Sequence, residues 1–150
     1  MDSKKKKIHD FLSTHIICSL STVTVSGIPE AAAMAFTETD DLLIIFQTSN
    51  STRKYYNLQR NPKVAIVVGF DFEQYISVQY EGIAKEVPDG ERERISHIHV
   101  AKHSEISTKY ANVIENKYFI VMPTWIRYSD LKADPNQIFE LDFSKKTILP

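Results

Sequence analysis

The sequence predicts a mainly β protein: a small antiparallel barrel of six to seven strands, flanked by a few short helices. Three observations carry this. Short runs rich in β-branched and aromatic residues follow one another closely, hairpin signals such as Ser26-Gly27 and Thr39-Asp40-Asp41 separate them, and helical periodicity is confined to a few segments. A parallel sheet would need a crossover helix between successive strands, and the spacing leaves no room for one in most places.

Each element follows from local pattern. Ile8, Phe11, Leu12, His15 and Ile16 recur at helical spacing after the polar start Asp2-Ser3, so a first helix with one apolar stripe is expected, with Lys4 to Lys7 at its solvated end. Strands are expected over 17–25, 28–37, 42–48, 63–70 and 75–87, then over 118–122 with 125–128, and over 137–141. Pro29 belongs at a strand start, where its missing N–H does little harm. Asp71-Phe72-Glu73-Gln74 makes a tight connection. A second short helix begins near Ser51 and stops at Asn61-Pro62. Between Asp89 and Asn116 the chain turns charged, and Ile95, Ile98, Ala101, Ile106, Tyr110, Val113 and Ile114 suggest two short helices crossing one side of the barrel.

At 150 residues the chain is expected to form one domain, 1–150, with no linker or repeat inside it. Hydrophobic residues make up 43% and charged residues 25%, an ordinary globular balance. Lys+Arg 18 against Asp+Glu 19 gives a net charge of -1, which lacks the basic excess of a nucleic-acid binder, so no nucleic-acid partner is expected. Cys18, the single cysteine, lies in the apolar run Ile16-Ile17-Cys18-Ser19-Leu20 and has no internal disulfide partner. It reads as a buried, inert thiol in a cytoplasmic protein. No apolar run is long enough to cross a bilayer, and the four lysines lack the second hydrophobic signal of a surface anchor, so no membrane partner is expected.

The run Thr48-Ser49-Asn50-Ser51-Thr52-Arg53-Lys54 carries the chemistry. It reads as strand end, polar loop and helix start, and the first N–H groups of a helix have no carbonyl partner while the aligned peptide dipoles leave partial positive charge there. A phosphate satisfies both. Arg53 can add a planar fork and Lys54 a point charge, with Ser49, Ser51 and Thr52 as adjustable donors and Asn50 or Ser51 as N-cap. The same residues also describe an ordinary capped helix whose cations face water.

Gln47 to Lys54, with Asn61-Pro62 following, resembles the phosphate segment of the FMN-binding split barrels, the pyridoxamine 5'-phosphate oxidase-like proteins. Further matching pieces occur in order: Gly27 to Phe36, Asp40-Asp41 before Leu42 to Phe46, and Val78-Gln79-Tyr80-Glu81-Gly82. Together they cover about residues 8 to 88. The resemblance implies a split β-barrel, FMN as cofactor, and a homodimer whose two subunits form the cofactor groove. It also implies roles. Arg53, Lys54 and Thr52 would grip the phosphate, Ala32, Ala33, Met34, Gln47, Thr48 and Ser49 would line the ribityl chain and ring, and Ser77 and Gln79 would approach from a facing strand. The flavin would carry out oxidoreduction of a small-molecule substrate, with a nicotinamide as candidate electron donor.

Departures from the family pattern bear on cofactor and substrate. Ala32 and Thr37 stand where the oxidases of the family carry an arginine and a lysine, Ser77 replaces a glutamine, and Gln79 replaces an arginine. The carboxy-terminal segment lacks the Arg-x-His element that holds the substrate phosphate. A non-catalytic protein that binds or senses a flavin, a deazaflavin or haem on the same scaffold is therefore the alternative.

Residue chemistry alone leaves several positions open. Ala31-Ala32-Ala33-Met34-Ala35 is either a wall for a flat ligand or a strand packed under a close neighbour, since alanine is depleted in strands. Ser77 and Gln79 share one strand face by period-two spacing, as a polar outer face also would. His97, His99 and His103 are expected on a solvated helix face rather than around a metal, because no carboxylate or cysteine completes a ligand set. Trp125 belongs either to the core or to a lid over the cofactor. No nucleophile, base and orienting group fall at interpretable positions, so no catalytic residue is assigned.

Overall fold

Alternation of buried and exposed residues runs along most strands and sets the architecture of the computed structural model, which describes residues 2–71, 73–103 and 105–144. Helix α1 (Ser3–Ser13) leads into β1 (Ile17–Val23), β2 (Pro29–Ala35), the two-residue β3 (Thr37–Glu38) and β4 (Ile44–Ser49). Helix α2 (Arg53–Arg60) precedes β5 (Lys63–Val68) and β6 (Ile76–Glu86). After a 3₁₀ turn at Asp89–Glu91 come α3 (Arg92–Lys102), α4 (Ile106–Ala111), β7 (Asn116–Asp130) and β8 (Gln137–Asp142). Strand order is β2-β1-β5-β6-β7-β4-β3, with β8 also paired to β7, and every pairing is antiparallel. This is the antiparallel barrel with flanking helices that the pattern of runs predicts.

Leu20, Phe46, Ile66, Val78, Phe119, Val121 and Ile126 meet in the main core. Helix α1 closes one side of it with Ile8 and Leu12, both 0% exposed. Each contributes about 1.5 to 3 kcal/mol of hydrophobic stabilisation. Tyr80 is buried among them and its hydroxyl lies 3.0 Å from both the Leu42 and the Val121 carbonyl oxygens, so a polar atom is satisfied inside an apolar layer. A second, smaller core forms on the other side of β4 and β7. There Ile45 and Tyr118 meet Ile95 of α3 and Val87.

Two differences from the expected strands have clear causes. Residues 28–37 form two strands because the chain changes partner at Phe36: Ala35 pairs with Ile17 of β1, whereas Thr37 pairs with Ile45 of β4. That exchange raises the strand number to eight among the described residues. Conversely, Pro123 does not divide β7. Glu81 pairs with Trp125 and Gly82 with Pro123, so Thr124 bulges out, and a proline without an N–H is tolerated at such an irregularity.

A continuous row of residues crosses the outer face of the strands. Ala33, Ser19, Val67, Gln79, Arg127 and Glu140 stand side by side across β2, β1, β5, β6, β7 and β8. Glu30, Ala32 and Met34 alternate with them on β2 and turn the opposite way, towards α2 and the core. No helix among the described residues is long and apolar enough to cross a membrane.

Candidate functional site

Thr52, in extended conformation, starts α2. Its Oγ1 accepts the Tyr55 N–H at 3.3 Å and donates to the Ser49 carbonyl at 3.0 Å, while lying 2.9 Å from Thr48 Oγ1 on β4. With its single proton spent on Ser49, Thr52 accepts from Thr48, and its hydrogen-bonding capacity is filled. The N-cap is thus Thr52, not Asn50 or Ser51 as expected. Ser49 and Ser51 are occupied with each other, Oγ to Oγ at 2.9 Å, and the Asn50 N–H donates to the Glu115 carbonyl at 2.8 Å.

The first helical bond of α2 runs from the Tyr56 N–H to the Thr52 carbonyl at 3.3 Å. The Arg53 and Lys54 N–H groups precede it, and both residues line a cleft of about 390 Å³ between α2 and β2. Thr22, Glu30, Ala32, Thr52, Arg53 and Lys54 are among its lining residues. Lys54 is half-buried, forms no ion pair among the described residues, and its ammonium is held below the usual lysine range by burial. A half-buried cation without a counter-ion suits an anion.

Arg53 already has one. Its Nη2 lies 2.5 Å from Glu30 Oε1, and the other Glu30 oxygen accepts from Asn57 Nδ2 at 2.8 Å. Asn57 also donates to Thr22 Oγ1 at 3.0 Å, which ties α2 to β1 as well as β2. Sequence reasoning missed Glu30, Asn57 and Thr22. The available signal was parity: Glu30 is two residues from Ala32 on a strand and therefore faces the same side.

Of the residues expected around a cofactor, Ala32, Thr52, Arg53 and Lys54 come together in this cleft. Thr48 is buried beneath the cap, Ser49 forms the turn before it, and Met34 packs against the main core. Ala33 faces outward on β2. Gln47 points to the opposite face of β4, beside its cross-strand neighbour Tyr118, and its buried Oε1 has no partner among the described residues. Ser77 and Gln79 lie on the outer face of β6. Gln79 is three strand spacings from Ala33, roughly 14 Å at about 4.8 Å per strand, so one protomer does not bring these two residues to the cleft.

The histidines depart from expectation. His97 is exposed, but His99 is 0% exposed, with Nδ1 2.9 Å from Thr37 Oγ1 and Nε2 without a partner among the described residues. Burial, together with the nearby His103 and Lys102, pushes its pKa down to about 4. His103 Nε2 lies 2.6 Å from the Phe36 carbonyl oxygen. The surface-face reading of His99 is therefore corrected: it shares one helix face with Ile95, four residues earlier, and docks on β3. No group of three or more metal-binding side chains forms among the described residues. Cys18 is 2% exposed, and burial pushes its thiol up to about 12, as befits an inert core residue. Trp125 is half-buried on β7, its Nε1 donating to Glu140 at 3.3 Å.

Comparison with known proteins places this geometry in a family. A family model described as pyridoxamine 5'-phosphate oxidase matches residues 5–130. General stress protein 26 of Bacillus subtilis (strain 168) is 38% identical over 71 residues, 47% of this chain, and the match spans about half, 49%, of that relative. A heme binding protein from Mycobacterium smegmatis has a similar fold, with TM-score 0.80 and 13% identity over 95% of this chain and 59% of its own. So does a Clostridium acetobutylicum protein related to general stress protein 26, with TM-score 0.74 and 16% identity over 97% and 99% of the two chains. A model that covers most of the chain and a fold shared across nearly its full length agree, and the chain belongs to the pyridoxamine 5'-phosphate oxidase-like family of split β-barrels.

Proposed function

We propose that this protein is an FMN-binding flavoprotein, an oxidoreductase of its family that acts on a small molecule as a cytoplasmic homodimer. The observation that carries the proposal is the convergence of Ala32, Thr52, Arg53 and Lys54 on one cleft at the start of α2. The residues fit a phosphate: two backbone N–H groups ahead of the first helical bond, a half-buried ammonium with no counter-ion among the described residues, and a guanidinium. Ala32 leaves a shallow wall where a flexible polyol chain could lie.

Bound FMN would supply hydride acceptance and reoxidation, chemistry that belongs to the cofactor. The chain's own residues would hold and orient it. Arg53 and Lys54 would neutralise the phosphate, and Thr52 would keep the helix start fixed through its bonds to Thr48 and Ser49. Ser77 and Gln79 face away from that cleft within one protomer, so a second copy, laid against the outer sheet face, would be needed to bring such groups to a ring. A nicotinamide is the proposed electron donor.

A second reading, a non-catalytic binder of a flavin, deazaflavin or haem, is favoured by the neutral Ala32 and by the fold likeness to the mycobacterial heme binding protein. Purified, cofactor-free protein titrated with FMN and then supplied with NADH or NADPH under air separates the two. Bleaching and recovery of the flavin bands with turnover support the enzyme; a bound but redox-silent flavin, or haem uptake in its place, contradicts it.

A further inference from the structure

The phosphate seat proposed for the α2 cleft contains a carboxylate. Glu30 Oε1 lies 2.5 Å from Arg53 Nη2, and its side chain is only 18% exposed although the arginine's is 78% exposed. The glutamate is fixed from behind, since Asn57 Nδ2 donates to its second oxygen at 2.8 Å and is itself anchored on the buried Thr22 hydroxyl at 3.0 Å. Arg53, by contrast, is a long exposed side chain drawn back onto β2 by this anchored acid. Glu30, Arg53 and Lys54 together carry one net positive charge rather than two.

We infer that Glu30 is a built-in competitor for the phosphate: it occupies the Arg53 guanidinium in the ligand-free protein and sets how tightly the cleft takes a phosphomonoester. This rests on the reading of the cleft as a phosphate site. A guanidinium that is already paired must be released before it can fork onto a phosphate, and a dianion beside Arg53 meets the repulsion of a carboxylate held in place by Asn57. Lys54 is the cation that remains free to meet the ligand first. Specificity here is thus a difference of two bound states, one with the protein's own anion and one with the ligand's. The residue acts on phosphate affinity through its ion pair with Arg53.

Glu30→Gln preserves the oxygen that Asn57 uses and removes the charge. Titration of the cofactor-free full chain with FMN and with riboflavin, which lacks the phosphate, is expected to give FMN binding about tenfold tighter in E30Q than in the parent, with riboflavin changed less than about twofold. In an Arg53→Ala background the gain from E30Q should shrink, because the competitor has lost its partner. Should E30Q fail to fold, Glu30→Asp withdraws the carboxylate by one methylene and is expected to give a smaller gain of the same sign. An unchanged FMN-to-riboflavin ratio in E30Q or E30D, in a protein whose R53A variant does lose FMN, overturns the competitor role and leaves the phosphate site standing. Absence of any preference for FMN over riboflavin in both parent and E30Q overturns both.

Discussion

Thr48 and Thr52 are joined hydroxyl to hydroxyl at 2.9 Å, which fastens the end of β4 to the N-cap of α2. The bond fixes where the helix begins, and therefore where the Arg53 and Lys54 N–H groups point. Thr52→Ala removes both this tie and the cap on Tyr55, with an expected stability loss of about 1 kcal/mol in urea unfolding. Thr52→Ser should recover most of it. If T52A unfolds at the parental urea concentration, the cap is not holding the helix.

Gly82 sits where β6 meets the bulge in β7. A Cβ there would lie 2.6 Å from both the Met122 carbonyl oxygen and Val121 Cγ1, with Tyr80 at 3.0 Å. Gly82→Ala is expected to lower stability by about 1 to 3 kcal/mol through overpacking. Gly90, with nothing within 4 Å and an ordinary φ, is the control, and its alanine variant should stay within about 0.5 kcal/mol of the parent. Equal melting temperatures for the two variants would mean that the bulge yields freely.

Stability should fall in mild acid because of His99. Its pKa, pushed down to about 4 from the ordinary 6.5, means that the unfolded chain takes up a proton which the folded chain refuses between those values. The contribution is fully present above about pH 6.5 and is lost as pH falls towards 4, about 3 kcal/mol in all at 1.36 kcal/mol per unit. His99→Gln, which keeps a partner for Thr37, should flatten the pH dependence relative to the parent. An identical slope in the two proteins would place the acid sensitivity elsewhere.

Strand parity was legible because the alternation is clean: Val64, Ile66 and Val68 are buried, whereas Lys63, Ala65 and Val67 are not. Pro123 read as a break because local chemistry knows nothing of a bulge opposite Gly82. Phe36 concealed a change of partner, which is a property of the sheet and not of the run. Asn50 and Ser51 were the N-caps that local pattern offered, and the reach of Thr48 sets the helix start at Thr52 instead. The Arg53 and Lys54 cations were legible from their place at a helix start. Glu30 was not, because its meeting with Arg53 depends on β2 docking against α2 across a separation that no local pattern encodes. His99 looked like surface by composition, and only its spacing from Ile95 hinted otherwise.

Whether Arg53 and Lys54 hold the phosphate of FMN is decided by parallel equilibrium titration of Arg53→Ala, Lys54→Ala and the parent with FMN and with riboflavin. Each substitution is expected to weaken FMN by about 1 to 3 kcal/mol while leaving riboflavin nearly unchanged. Equal losses for the two ligands, or none for either, would contradict the assignment of the cleft.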